Sequence, residues 1–339
     1  MKFSGELFTY DDKNRLTAFE TGPIQTGKTV VFIGGLGDGF NAVPYLESLV
    51  NMLSSNDWSL IQVQLSSSFN GYGTTNLQTD SEELDTLVTY LKQERNKSNI
   101  VLLGHSTGSQ DCYWHNKNGK TNQSISGYIL QAPVSDREHL EQSLPNFQQY
   151  LDLSSQLRNQ GKGDSLLPRD ALWTPISADR FFSLCSKGGD DDVFSTDLTD
   201  QEISKLYQGV NRPICWIYSD QDEFYASKQD KTTVMNRFKS LCPAIKITVT
   251  VPFGDHCIER QDSQEYFSGS SGRKLNQNKL LSRSAKLRFN PLESKCKICK
   301  TKVHQDKAHY CQDCSYKKGI CAMCGKQVLD TSSYKQSAK

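Results

Sequence analysis

The 339-residue sequence has no long hydrophobic run. Stretches such as Val30–Ile33 fall far short of the roughly twenty apolar residues that a membrane-spanning helix needs, which argues against membrane insertion. The opening Met1-Lys2-Phe3-Ser4-Gly5-Glu6 lacks the basic start and apolar stretch of a secretory leader, so a cytoplasmic protein is expected, with the nucleus as a second location. Cysteine is sparse over the first 268 residues: the five present stand singly, which leaves no disulfide framework to read and suits inert buried thiols in a reducing compartment. Net charge is also nearly absent, at +1, but that value hides a division. Residues 1–268 carry 23 Lys and Arg against 34 Asp and Glu, net −11; residues 269–339 carry 16 against 4, net +12. Such asymmetry, with the other six cysteines gathered between Cys296 and Cys324, predicts two units with different partners.

The stretch Asn99–Asp111, NIVLLGHSTGSQD, organises the acidic part. Ile100–Leu103 is a short β-branched and apolar run that suits a buried strand, and Gly104-His105-Ser106-Thr107-Gly108 then matches G-x-S-x-G. In that reading the glycines permit a sharp strand-to-helix turn that presents Ser106 Oγ at the top of a sheet. Around it, strand and helix patterns alternate. A hairpin is expected over Glu6–Tyr10 and Leu16–Glu20, strands over Val30–Ile33, Ser59–Leu65, Ile125–Leu130, Ile214–Tyr218 and Ile245–Val251, and helices over Val43–Leu53, Glu82–Glu94 and Thr232–Leu241. This alternation predicts a mostly parallel sheet with helices on both faces. Residues 136–210 interrupt it with a polar, helical excursion that would form a lid. Asp190-Asp191-Asp192 within it reads most simply as a solvated surface; its functional alternative is repulsion of anionic substrates or attraction of a cation.

One motif misleads. Gly22-Pro23-Ile24-Gln25-Thr26-Gly27-Lys28-Thr29 satisfies G-x-x-x-x-G-K-[ST], but it runs into a strand, whereas a phosphate-binding loop must open a helix. Nucleotide binding is therefore not expected. Chemistry is expected instead from Ser106, Asp222 and His256, each just after a strand and in the nucleophile, acid, base order of α/β-hydrolases. Asp220 is the alternative acid, Asp255 a turn residue and His105 a packing residue. The glycine-rich turn Gly34–Gly39 predicts Leu36 as one oxyanion donor, with Thr107 as the other. No cofactor is expected for this part, and its substrate would be a small ester.

Ser66–Thr74, Gly104–Asp111, Ser177–Phe182, Gly188–Phe194 and Ser219–Tyr225 resemble a fungal and plant α/β-hydrolase family that includes siderophore esterases. The similarity spans about residues 5–260 and implies esterase-like activity, with the triad carried onto Ser106, Asp222 and His256. Glu259–Phe267 leaves barely two turns for the last helix that such folds pack on the sheet, so exposed apolar sheet surface is expected. The first domain is taken as residues 1–267.

Residues 268–294 read as a flexible basic linker. Over 295–339, Cys296/Cys299, Cys311/Cys314 and Cys321/Cys324 form three C-x-x-C pairs, a spacing that lets two thiolates grip one tetrahedral Zn²⁺ as a structural ion. Two pairs complete one site; the third needs two more ligands, for which His304 and His309 are the nearest candidates. Which pairs combine is open at this point. Ser271–Asn276 and Cys296–Asp330, with Tyr316–Lys326, resemble the cysteine-rich PDZ-binding protein family over about residues 269–336. That resemblance implies a small zinc-binding adaptor with cytoskeletal scaffold or spliceosomal protein partners. The family's opening C-x-x-C pair is absent, and a PDZ groove takes an apolar final side chain, so Lys339 argues against PDZ binding. The +12 charge fits RNA or spliceosomal protein contact better. Two functions are thus expected in one chain, an esterase-like hydrolase and a zinc-stabilised interaction module; the alternative is an interaction protein with a vestigial hydrolase domain.

Overall fold

A computed structural model describes residues 1–259, 295–300, 303 and 308–327. These fall in two units, one within Met1–Ser271 and one within Gly272–Lys339. The basic segment 268–294, most of Glu259–Phe267, and His304 lie outside the described residues.

The first unit is built on eight strands: β1 (Gly5–Asp11), β2 (Leu16–Thr21), β3 (Lys28–Ile33), β4 (Ser59–Val63), β5 (Asn99–His105), β6 (Ile125–Gln131), β7 (Ile214–Ser219) and β8 (Ile245–Val251). They form one sheet in the order β1-β2-β4-β3-β5-β6-β7-β8. The β1–β2 hairpin and the β2–β4 pair are antiparallel, and every later pairing is parallel. Successive residues of β3 explain why its sequence is apolar throughout. Val31 and Ile33 join the core under α2 (Leu77–Gln93) and α3 (Gly108–Asn118), whereas Val30 and Phe32 join the core under α1 (Leu46–Ser54). Helix α2 starts earlier than its apolar spacing suggests, because the Asn76 side chain accepts from Thr79 N–H at 2.9 Å and caps the first turn. The misleading glycine motif is the β2–β3 turn. Lys28 opens β3 and lies 3.7 Å from Asp57, and no helix follows it.

Between β6 and β7 the chain inserts α4 (Asp136–Ser143), α5 (Phe147–Asn159), α6 (Ala178–Cys185) and α7 (Asp200–Leu206). The insertion has its own apolar core of Phe147, Tyr150, Leu172, Phe181 and Leu184, packed on Tyr72 and against Leu36. The glycine-rich turn after β3 is thereby tied to the insertion. The aspartate triplet in this insertion corrects the sequence expectation of a solvated run. Asp190 is exposed, but Asp191 and Asp192 are only 3% and 2% accessible. Asp191 bonds Arg180 at 2.5 Å and Asp192 bonds Arg137 at 3.0 Å, and these guanidinium groups make the burial of the carboxylates tolerable. Helix α8 (Lys231–Leu241) then leads to β8 and the Pro252–His256 turn. Among the described residues no helix is long and apolar enough to cross a membrane.

In the second unit, α9 (Gln312–Lys318) ends on Gly319, whose φ of +61° suits the left-handed cap of a glycine. Lys300 N–H donates to Cys296 O at 2.9 Å, and Gly325 N–H donates to Cys321 O at 2.9 Å. Lys300 and Gly325 both have positive φ, so the first and third cysteine pairs close the same kind of knuckle turn.

Candidate active site and metal centre

Strand β5 delivers Ser106 into a turn where its φ is +53°, a backbone state that a serine holds only under constraint. The constraint comes from close packing of glycine backbone. A Cβ on Gly104 would lie 2.0 Å from Gly108 O, one on Gly108 would lie 2.5 Å from Ile33 O, and one on Gly35 would lie 2.8 Å from the Cβ of Ser106. Ser106 N–H donates to Gln131 O at 2.9 Å, which fastens the turn to β6.

His256, on the turn after β8, is 5% accessible, and its Nδ1 lies 2.9 Å from both Oδ1 and Oδ2 of Asp222. Asp222 follows β7, is itself buried, and also accepts from Phe224 N–H at 3.0 Å. Asp220 is exposed, and Asp255 Oδ1 accepts from Glu259 N–H at 2.8 Å, so the turn after β8 is capped as its sequence suggests. Ser106 and His256 line one cavity of about 340 Å³, together with Leu36, Trp173 and Phe224. Among the described residues, neither Leu36 N–H nor Thr107 N–H donates to a protein acceptor. Both flank Ser106: Leu36 follows Gly35, which touches it, and Thr107 follows it in the chain.

Several residues that support this arrangement carry no motif. Asp38 Oδ2 accepts from Gly35 N–H at 2.7 Å and fixes the glycine turn beside Ser106. Burial raises the Asp38 carboxyl above its ordinary range, against the Gly35 N–H and the nearby His256. Gln131 joins three elements: its Oε1 lies 2.5 Å from His105 Nδ1 and 3.1 Å from Tyr45 Oη, and its Nε2 donates to His256 O at 3.1 Å. His105 is pushed down to about 3 by burial first and then by His256, so it packs as a neutral ring, 5.0 Å from that of His256. The only sequence signal for Gln131 is its place at the end of an apolar strand, where a buried amide needs partners.

In the second unit the thiols of Cys296, Cys299, Cys311 and Cys314 all lie within 4.8 Å of one another, with Cys299 Sγ and Cys311 Sγ at 3.5 Å. Four thiolates around a Zn²⁺ at about 2.3 Å are separated by about 3.8 Å, so this donor set fits such an ion. The first and second pairs therefore combine. Against burial, which raises it, the backbone N–H groups of Cys299, Cys311 and Ile298 bring the Cys296 thiol down to about 6, the form a metal takes. Cys321 and Cys324 stand outside this group, as does His309, whose side chain is exposed while its N–H donates to Ala322 O at 2.9 Å.

Residues 1–268 match the family model described as "Protein of unknown function (DUF1749)", and residues 246–338 match the one described as "Microtubule-associated protein CRIPT". The chain is 31% identical over 283 residues to fusarinine C esterase of Aspergillus fumigatus, covering 66% of this chain and 80% of that protein. It is 56% identical over 82 residues to the human cysteine-rich PDZ-binding protein, covering 23% of this chain and 80% of that protein. Among solved structures, the siderophore hydrolase EstB from Aspergillus fumigatus superposes with a TM-score of 0.67 at 26% identity, over 79% of this chain and 96% of that one. The chain thus belongs to the DUF1749 family of α/β-hydrolase-fold, esterase-like proteins and carries, fused behind that domain, a module of the CRIPT family.

Proposed function

We propose that the first domain is a serine hydrolase of small esters and that the second is a zinc-stabilised module for docking protein partners. The hydrolase reading is carried by one observation: His256 Nδ1 rests on the buried Asp222 carboxylate while Ser106, in its left-handed turn, lines the same cavity as His256. Asp222 keeps the proton on Nδ1, which leaves Nε2 to accept the Ser106 Oγ proton as the hydroxyl attacks the ester carbonyl. The N–H groups of Leu36 and Thr107 take the oxyanion of the tetrahedral intermediate. Its collapse expels the alcohol, which receives its proton from His256. A water molecule deprotonated by His256 then releases the acid and restores the serine. The names of the relatives, fusarinine C esterase and siderophore hydrolase, support esters as the substrate class.

Cys296, Cys299, Cys311 and Cys314 would hold the zinc, which supplies folding energy and no step of hydrolysis. Around it the basic C-terminal part would meet cytoskeletal or spliceosomal proteins, with RNA as a further partner. One experiment tests both halves: fluorophosphonate labelling and zinc quantification on the same full-length sample. Wild-type protein is expected to be labelled at Ser106 and to carry zinc, and Ser106→Ala to lose the label and keep the zinc. An unlabelled wild type removes the hydrolase reading; metal-free protein removes the other.

A further inference from the structure

Gln131 ends β6 and is fully buried, paired with His105 of β5 on one side and Ile217 of β7 on the other. Its main-chain oxygen accepts from Ser106 N–H at 2.9 Å, and its side-chain Nε2 donates to His256 O at 3.1 Å. One residue therefore holds the nucleophile turn by its main chain and the base by its side chain. The amide can face only one way. Turned about, its Oε1 would meet His256 O at 3.1 Å with no proton between two buried oxygens. With Nε2 toward His256, both contacts of Oε1 have to be donors: Tyr45 O–H at 3.1 Å and His105 Nδ1–H at 2.5 Å, which fill its two lone pairs. His105 thus carries its proton on Nδ1. Because the ring is neutral, its Nε2 is bare and lies 3.9 Å from the Cys257 thiol, which is placed to donate to it.

The placement of these protons matters to the neighbouring ring. In the proposed reaction His256 becomes a cation when it takes the Ser106 proton, and the His105 ring lies 5.0 Å from it. A carboxylate in place of the Gln131 amide would draw a second proton onto His105 and set a cation beside that imidazolium; a neutral amide whose oxygen is already filled does not. The His256 main chain is held from two sides, its N–H by Glu223 Oε2 at 3.0 Å and its carbonyl by Gln131. Without the Gln131 side chain the turn keeps the first anchor and loses the one that ties it to the Ser106 turn. We infer that Gln131 is a positioning residue: it fixes the base relative to the nucleophile turn and keeps His105 as a neutral, Nδ1-protonated ring beside that base. The inference rests on the hydrolase reading and adds to it a residue that stands behind the cavity wall, outside its lining.

Two measurements on the full-length chain test it. The first is Gln131→Met, which keeps the side-chain length, removes donor and acceptor, and leaves the main-chain bond to Ser106 in place. With p-nitrophenyl acetate its kcat is expected to fall by about tenfold to a hundredfold, the order that a misplacement of about 1 Å costs, while KM stays at the wild-type value. The rate of fluorophosphonate labelling is expected to fall by the same factor. The second needs no variant: ¹⁵N NMR of histidine-labelled wild type, with His105 assigned through the backbone, is expected to show a proton on Nδ1 and a bare Nε2 at pH 7. A merely structural role for Gln131 would move neither kcat alone nor the tautomer. Retention of kcat in a folded Gln131→Met, or a His105 proton on Nε2, overturns the inference while leaving the hydrolase reading intact; if the variant does not fold, the tautomer decides. Absence of both turnover and fluorophosphonate labelling in wild type overturns the two together.

Discussion

The imidazole Nδ1 of His256 is equidistant, at 2.9 Å, from both carboxylate oxygens of Asp222. A two-point contact of that kind fixes the tautomer and also limits rotation of the ring, while Glu223 Oε2 holds the His256 N–H at 3.0 Å. Asp222→Asn keeps the shape but offers an N–H where an acceptor is needed, so the histidine is held in the wrong tautomer. If the triad operates as proposed, kcat for a simple p-nitrophenyl ester falls by roughly four orders of magnitude in this variant, with little change in KM. A fall of less than tenfold would show that Asp222 does not orient the base.

The acid-rich cluster behind the site should leave a pH signature in stability. Burial is the main force that raises Asp80 to about 7, against a Ser67 hydrogen bond and the charge of Arg180. Asp111, fully buried beside it, is pushed well above the carboxylate range by burial and then by Asp80 itself. An unfolded aspartate titrates near about 3.9, so the folded state holds the proton more tightly than the unfolded one. The stabilisation from this site is complete below that value and is lost as the pH rises through about 7. Asparagine resembles the protonated acid. The Tm of Asp80→Asn minus that of wild type should therefore increase between pH 5 and pH 8, as measured by calorimetry; a difference that stays constant across that range would contradict a shared, burial-driven proton.

What could be read from the sequence follows from how locally each feature is encoded. The Ser106 turn is a five-residue pattern between a strand and a helix, and the order Ser106, Asp222, His256 repeats one context three times, just beyond a strand. These survive translation from sequence to structure because the sheet itself brings strand ends together. Asp191 and Asp192 behaved otherwise. As part of a Gly-Gly-Asp-Asp-Asp run they look solvated, but their partners Arg180 and Arg137 sit 11 and 55 residues away, and only the folded insertion makes those pairs. Asp38 and Gln131 share that difficulty: each is a single polar residue whose role arises from a contact across elements. The phosphate-loop pattern at Gly22–Thr29 shows the converse, a complete local match cancelled by the strand that follows it.

Pairing among the six C-terminal cysteines illustrates the same limit, since identical spacing cannot say which thiols meet. Chain path decides it. The two outer pairs, Cys296/Cys299 and Cys321/Cys324, close similar knuckles, yet only the first joins Cys311/Cys314, which stands at the start of α9, in a four-thiol group. Metal at that group should depend on its own four ligands and be independent of Cys321 and Cys324. Substituting Co²⁺ in the full-length chain gives a direct readout, because tetrahedral thiolate ligation produces intense charge-transfer bands. The Cys321→Ser, Cys324→Ser double variant should retain the four-thiolate spectrum of wild type, and Cys299→Ser with Cys314→Ser should lose it, since two thiolates cannot close a tetrahedron alone. If instead the first double variant lost the spectrum and the second kept it, the third pair would be a primary ligand set and the four-thiol assignment would fall. Since ligation supplies much of the folding energy of so small a unit, the variant that loses metal should also expose its C-terminal part to protease, leaving the hydrolase domain resistant.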